Sequence, residues 1–167
     1  MSLPKISNPP RYRRSATVAA LAVSMVCGFE GLRTAAYTDP VGIPTICFGE
    51  TKGVRLGDTA TADQCKAMLG NRLAEFSVAI DRCLPADLPA PAYAAFLSAS
   101  YNIGTTAFCS SSMARRARAR DLAGACNALT MWDKAMVGGV AVRLPGLTAR
   151  RAEERAMCLT GVDGAPT

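Results

Sequence analysis

Seven cysteines, at 27, 47, 65, 83, 109, 126 and 158, are strung along almost the whole chain. No two stand in a CxxC pair, which makes structural zinc and thioredoxin-like redox chemistry poor fits. Wide spacing suits disulfides formed in an oxidising compartment, and such bridges tie together segments remote in sequence. The odd count leaves one thiol over, or pairs it between chains. With 167 residues, half of them hydrophobic, the chain can also bury a core of its own, as one domain or two small lobes.

A second constraint is chemical. The chain contains no histidine. A Ser-His-Asp triad, a Cys-His pair and any histidine-ligated metal are therefore excluded. Proton transfer falls to Asp, Glu, Tyr, Lys or Cys, and only 13 residues are acidic. The formal charge of +6 points to an anionic partner or surface. Arg115, Arg116, Arg118 and Arg120 cluster locally. No aromatic residues interleave with them, so the cluster reads as a solvated helix face rather than as a nucleic-acid site.

The amino terminus divides in two. Residues 1–14 form a basic arm with Arg11, Arg13 and Arg14, read as flexible, and residues 15–29 carry no charge. The order basic then apolar resembles an export signal. Three readings follow: cleavage near Ala22 or Ser24, an uncleaved signal anchor that tethers the chain transiently to the inner membrane, or a buried first helix. Export followed by packing reconciles the first helix with a signal role.

Beyond Phe29, turn signals at Asp39-Pro40 and Val41-Gly42 suggest a hairpin, with short strands continuing around Gly49. Residues 31–60 read as a small β-containing lobe. Thr61 followed by Gln64 forms a capping box for one long helix to about Cys83, with Ala67, Met68, Leu73, Phe76, Ile80 and Leu84 near helical spacing. A proline-rich linker leads to a helix over 91–102, ended by Gly104. Short helices over 110–118 and 121–131, a glycine-proline loop over Gly138–Gly146 and a last helix over Thr148–Leu159 complete the chain. The fold class is α+β, mainly helical: a small lobe, a connecting helix and a larger helical lobe over 91–160.

Glu30, Asp39 and Thr45 stand out against this outline. Glu30 ends an apolar helix, where partial desolvation favours the protonated carboxyl of a general acid. Asp39 falls in a polar turn that suits an ionised carboxylate. Two carboxyls with divided roles are what glycosidic cleavage requires. The surrounding pattern, EGLRxxxYxDxxGxxTxxxG through Tyr37, Gly42 and Gly49, resembles the catalytic region of phage-type lysozymes, the T-even-type muramidases. The resemblance extends through Tyr101-Asn102-Ile103-Gly104 and through Trp132, Gly146, Leu147, Arg150, Arg151 and Glu154, covering roughly residues 24–160.

The resemblance implies a lysozyme-like two-lobe fold and hydrolysis of the β-1,4 bond between N-acetylmuramic acid and N-acetylglucosamine in peptidoglycan. Glu30 would protonate the leaving oxygen, and Asp39 and Thr45 would place or activate water, with inversion at the anomeric carbon. Arg150 or Arg151 would pair with Glu30, with Tyr37 and Asn102 supporting the site. Glu50 replaces a histidine usual in the family; it adds a third carboxyl or faces solvent. The cysteine positions resemble the exported, disulfide-bearing endolysins, which implies the bridges Cys47–Cys65, Cys83–Cys109 and Cys126–Cys158, leaves Cys27 over, and implies a periplasmic setting in a Gram-negative host. No cofactor or metal is expected, and the expected state is a monomer. A non-catalytic wall-binding domain and a lytic transglycosylase remain alternatives on the same fold.

Overall fold

The computed structural model describes residues 16–163. The small lobe is a two-stranded antiparallel sheet. Strands β1 (Arg33–Thr38) and β2 (Pro44–Cys47) pair through Tyr37↔Thr45 and Thr38↔Pro44, with an irregularity between Arg33 and Tyr37. The chain then crosses back, and Ala36 donates to Asp58 O at 2.9 Å and Ala60 to Thr34 O at 2.8 Å, which closes the lobe. The sequence suggested further strand around Gly49. There the chain instead turns: Ile46 and Glu50 exchange backbone hydrogen bonds at 2.9 Å, and Gly49 has φ +89°. That left-handed conformation favours glycine, which has no Cβ to clash.

Helix α1 (Ala16–Phe29) precedes this lobe and buries Val18, Ala22, Met25 and Val26. The connecting helix α2 (Ala62–Ile80) starts at the expected cap: Thr61 Oγ1 accepts from Gln64 N and Gln64 Oε1 accepts from Thr61 N. Its buried stripe is Cys65, Leu69, Leu73, Ser77 and Ile80. Ala67 and Met68, expected on the apolar face, are exposed. The 3.6-residue period explains this, because 68, 72 and 76 form the neighbouring stripe. Of that stripe, Arg72 and Phe76 line a cleft and the sulfur of Met68 lies 3.6 Å from that of Cys47.

Helix α3 (Ala90–Ile103) is the centre of the large lobe. Every residue from Ala92 to Ser100 is buried. A helix enclosed all round needs small side chains where neighbours press close, and α3 is rich in alanine and serine. Its main neighbours are α1 and the last helix, α7 (Pro145–Asp163). Gly161 of α7 sits so near α3 that a Cβ there would meet the Ala92 nitrogen at 3.2 Å.

The remaining elements depart from the sequence expectation in informative ways. The helix expected over 110–118 is α5 (Ser112–Arg118), which starts late because Ser111 is extended and caps it by accepting from Ala114 N, and a short helix that the sequence did not suggest, α4 (Thr105–Ser110), precedes it. The one expected over 121–131 is α6 (Leu122–Ala128) followed by a 3₁₀ turn, Leu129–Met131. The expected loop over Gly138–Gly146 holds most of a hairpin, β3 (Lys134–Val137) and β4 (Val140–Arg143), turned at Gly138-Gly139. Helix α7 begins at Pro145 rather than Thr148, since proline at the first turn has no N–H to leave unpaired.

Disulfides join Cys47 to Cys65 between β2 and α2, Cys83 to Cys109, and Cys126 of α6 to Cys158 of α7. Cys27 is a free, half-buried thiol whose pKa burial pushes up. In the arginine cluster, Arg116 pairs with Asp121, Arg118 donates to Cys83 O and Arg120 pairs with Asp87. Among the described residues, no helix is long and apolar enough to cross a membrane.

Candidate active site

Glu30 is the first residue past α1. Its N–H still donates to Val26 O at 2.8 Å, so the helix geometry fixes where the side chain leaves the backbone. From there it enters a cleft of about 310 Å³, lined also by Phe48, Gly49, Arg72, Phe76, Tyr101 and Asn102. Both lobes and the connecting helix contribute walls.

Arg150 meets Glu30 from α7. Its Nη1 lies 2.7 Å from Glu30 Oε1, with the Arg150 side chain 6% exposed and that of Glu30 31% exposed. The guanidinium also stacks 4.8 Å from the Phe29 ring centroid. Its other donors are held from behind: Nη2 donates to Ser98 O at 3.2 Å and Nε to Glu154 Oε1 at 3.2 Å. The two open alternatives for the arginine resolve here. Consecutive helix positions diverge by about 100°, so Arg150 and Arg151 cannot point the same way. Arg151 instead donates to Asn102 Oδ1 at 3.1 Å and pairs through Nε with Glu154 Oε2 at 3.0 Å.

Glu154 is wholly buried and takes Ser98 Oγ at 2.7 Å besides both arginines. Burial pushes its carboxyl pKa up, and burial pushes the Arg151 guanidinium down, while each charge pulls the other back toward its ionised form. Two buried cations and one buried anion, with the half-buried Glu30 as fourth member, form a charge-balanced chain from the core of the large lobe to the cleft. Balance of this kind is what permits charges to be buried at all.

Asp39 and Thr45 lie on the small lobe. Asp39 Oδ1 accepts from Val41 N at 2.9 Å and Ile43 N at 2.8 Å, so the aspartate shapes the turn between β1 and β2. Thr45 is buried and its Oγ1 donates to Ile43 O at 3.0 Å. Tyr37 stands opposite Thr45 in the sheet, with the Arg33 guanidinium 4.5 Å from its ring centroid. Glu50 is inward rather than solvent-facing, at 14% side-chain exposure; its Oε1 accepts from Thr51 and Lys52 N–H, and Oε2 lies 4.0 Å from Arg72 Nε.

Tyr101 and Arg72 were not among the residues singled out for chemistry. Tyr101 donates to Phe48 O at 2.8 Å and packs against Phe76, ring centroids 5.2 Å apart, bridging the two lobes at the cleft floor. Its phenol is pushed up to about 12 by burial and by the nearby Glu30 and Glu50 carboxylates. Arg72 carries no sequence signal beyond a helical i,i+3 pairing with Glu75; only the fold turns it toward the cleft. A larger hollow of about 510 Å³ lies apart, beside the Cys83–Cys109 bridge, and no carboxylate among the described residues lines it.

A cleft between a small sheet lobe and a helical lobe, with a carboxyl at a helix end clasped by an arginine, is the arrangement of a two-lobe lysozyme-type protein. The chain belongs to the phage lysozyme family, whose profile matches residues 27–154. It is 35% identical over 166 residues to a SAR-endolysin of Enterobacteria phage P21, covering 92% of this chain and 98% of that one. Among solved structures it is similar to an endolysin from Escherichia coli O157:H7 phage FAHEc1, at 31% identity and TM-score 0.77, covering 88% of this chain and 94% of that one. It is also similar to the active form of the P1 phage endolysin Lyz, at 26% identity and TM-score 0.77, covering 92% of this chain and 91% of the other.

Proposed function

We propose that this chain is an endolysin that hydrolyses the β-1,4 bond between N-acetylmuramic acid and N-acetylglucosamine in peptidoglycan. The observation that carries the reading is the Arg150–Glu30 pair in the inter-lobe cleft, within a chain of the phage lysozyme family.

The contacts of each side chain support the following roles. Arg150 takes Glu30 Oε1 and fixes the plane of the carboxyl, so Oε2 is the oxygen that delivers a proton to the leaving glycosidic oxygen. Thr45 Oγ1 gives its own proton to Ile43 O and keeps its lone pairs for a water hydrogen. The Asp39 carboxylate, whose Oδ1 is held by two backbone N–H groups, places that water on the opposite face of the sugar from Glu30. Attack from that face inverts the anomeric centre. Asn102 Oδ1 accepts from Arg151 and so keeps its amide N–H₂ for a sugar oxygen at the cleft wall.

The same reading places the chain in the periplasm. Residues 15–29 guide export and tether the chain transiently to the inner membrane, and Ala16–Phe29 then pack as α1, as the buried Val18, Ala22, Met25 and Val26 allow. The test is loss of turbidity of Gram-negative cell walls, with Glu30→Gln beside wild type. Loss of a general acid should slow clearing by about 100-fold or more. Equal clearing by both proteins would remove Glu30 from the chemistry. Wild-type protein that sediments with walls without clearing them would mark a wall-binding domain instead.

A further inference from the structure

The β3–β4 hairpin serves nothing described so far. Its sequence, Lys134 to Arg143, is KAMVGGVAVR: one cation at each end and only apolar residues and two glycines between. The register puts Met136 opposite Ala141 on one face, and Ala135 opposite Val142 and Val137 opposite Val140 on the other. Both faces are therefore apolar, and both are in water. Met136 is 69% exposed, Val140 63% and Val137 55%, and the extensive contacts of each strand are with the other. An isolated two-stranded hairpin is marginal in water at best. A tip that exposes Met136, Val137 and Val140 suits another solvent.

We propose that this hairpin is a docking tip for an anionic phospholipid bilayer, with Met136, Val137 and Val140 entering the headgroup–acyl boundary. Three features select a bilayer over a protein groove. A protein partner covers one face of a hairpin, whereas a bilayer surrounds the tip on both. The reach is right: Val137 lies three residues past the Lys134–Arg143 rung, about 10 Å at strand rise, and interfacial elements enter about 5–10 Å. The charges complement lipid phosphate: Lys134 and Arg143 share the base rung, and no Asp or Glu occurs between Lys134 and Ala152. Asp133, just before the hairpin, is buried and ion-paired with Arg143 Nε at 2.8 Å, which leaves the rung's net positive charge to Lys134. Exposed Met131 continues the apolar surface toward Arg116, with which it lines a shallow hollow. The outer edges of the two strands have no sheet partner among the described residues, which confines the tip to the interface, because the hydrocarbon core offers their N–H and C=O groups nothing.

The decisive readout reports on the hairpin and not on the apolar amino-terminal segment. The variant Met136→Trp is mixed with vesicles of phosphatidylglycerol and phosphatidylethanolamine whose acyl chains carry bromine near the headgroup. The added tryptophan emission should fall at least twofold, and much less with phosphatidylcholine vesicles. Emission unchanged by brominated anionic vesicles overturns the proposal. The variant Met136→Ser/Val137→Ser/Val140→Ser should cleave a soluble glycan substrate within twofold of wild type, and light scattering should give one mass for both. Loss of soluble-substrate cleavage would make the hairpin a glycan contact. A wild-type dimer that the triple variant converts to monomer would make its occupant a second copy. Either result overturns the bilayer.

Discussion

Glu154→Gln offers the sharpest test of how the cleft is built. Glu154 is fully buried and holds Arg150 Nε at 3.2 Å, Arg151 Nε at 3.0 Å and Ser98 Oγ at 2.7 Å. Glutamine keeps the shape and removes the charge. It then leaves Arg151, 1% exposed, with no counter-charge, and Arg150 with only Glu30. Removing one member of a buried ion pair costs about 3–5 kcal/mol, because the remaining charge stays desolvated and unmatched. For a chain of this size each kcal/mol shifts Tm by about 2–4 °C, so calorimetry should show a fall of about 6–20 °C. The compensated variant Glu154→Met/Arg151→Met removes both charges and should recover most of that loss. Turnover of Glu154→Gln should also fall at a temperature where it is fully folded, since Arg150 loses the anchor that aims it at Glu30. A Tm within 2 °C of wild type would refute the claim that this network is charge-balanced from within.

Two further outcomes follow from the same geometry. The Tyr101 phenol is raised to about 12, above the ordinary value near 10, so the folded state holds a proton that the unfolded chain releases. Its contribution is complete below pH 10 and is lost as pH rises from about 10 to 12; Tyr101→Phe should flatten the fall of urea midpoint measured between pH 9 and pH 11. Cys126→Ala/Cys158→Ala frees α6 from α7 across 32 residues and should cost about 2–4 kcal/mol in calorimetry, with wall clearing at low temperature kept.

Much of this arrangement could be read along the chain, and the reasons for the remainder are physical. The α2 cap was legible because a capping box is local: Thr61 and Gln64 satisfy each other's backbone within one turn. The Gly104 stop was legible for the same reason, its φ of +87° being glycine's to adopt. The β3–β4 hairpin was not, although Gly138-Gly139 between apolar residues is a hairpin signal. Strand reading leans on polar alternation, and a hairpin apolar on both faces has none. The choice between Arg150 and Arg151 was equally closed, because both are buried cations on one helix and only the packing of α7 on α3 decides which reaches Glu30. Arg72 and Tyr101 needed the fold as well: each looks like ordinary helix surface or core until the two lobes close a cleft around it.

Hydrolysis with Glu30 as the proposed acid would leave reducing N-acetylmuramic acid at each new chain end. Mass spectrometry of the fragments released from purified peptidoglycan tests it directly. Wild type should release fragments ending in reducing N-acetylmuramic acid, each one water heavier than a whole number of disaccharide repeats, and Glu30→Gln should release none. Fragments ending in the anhydro sugar would contradict hydrolysis, and reducing N-acetylglucosamine ends would contradict the bond assigned.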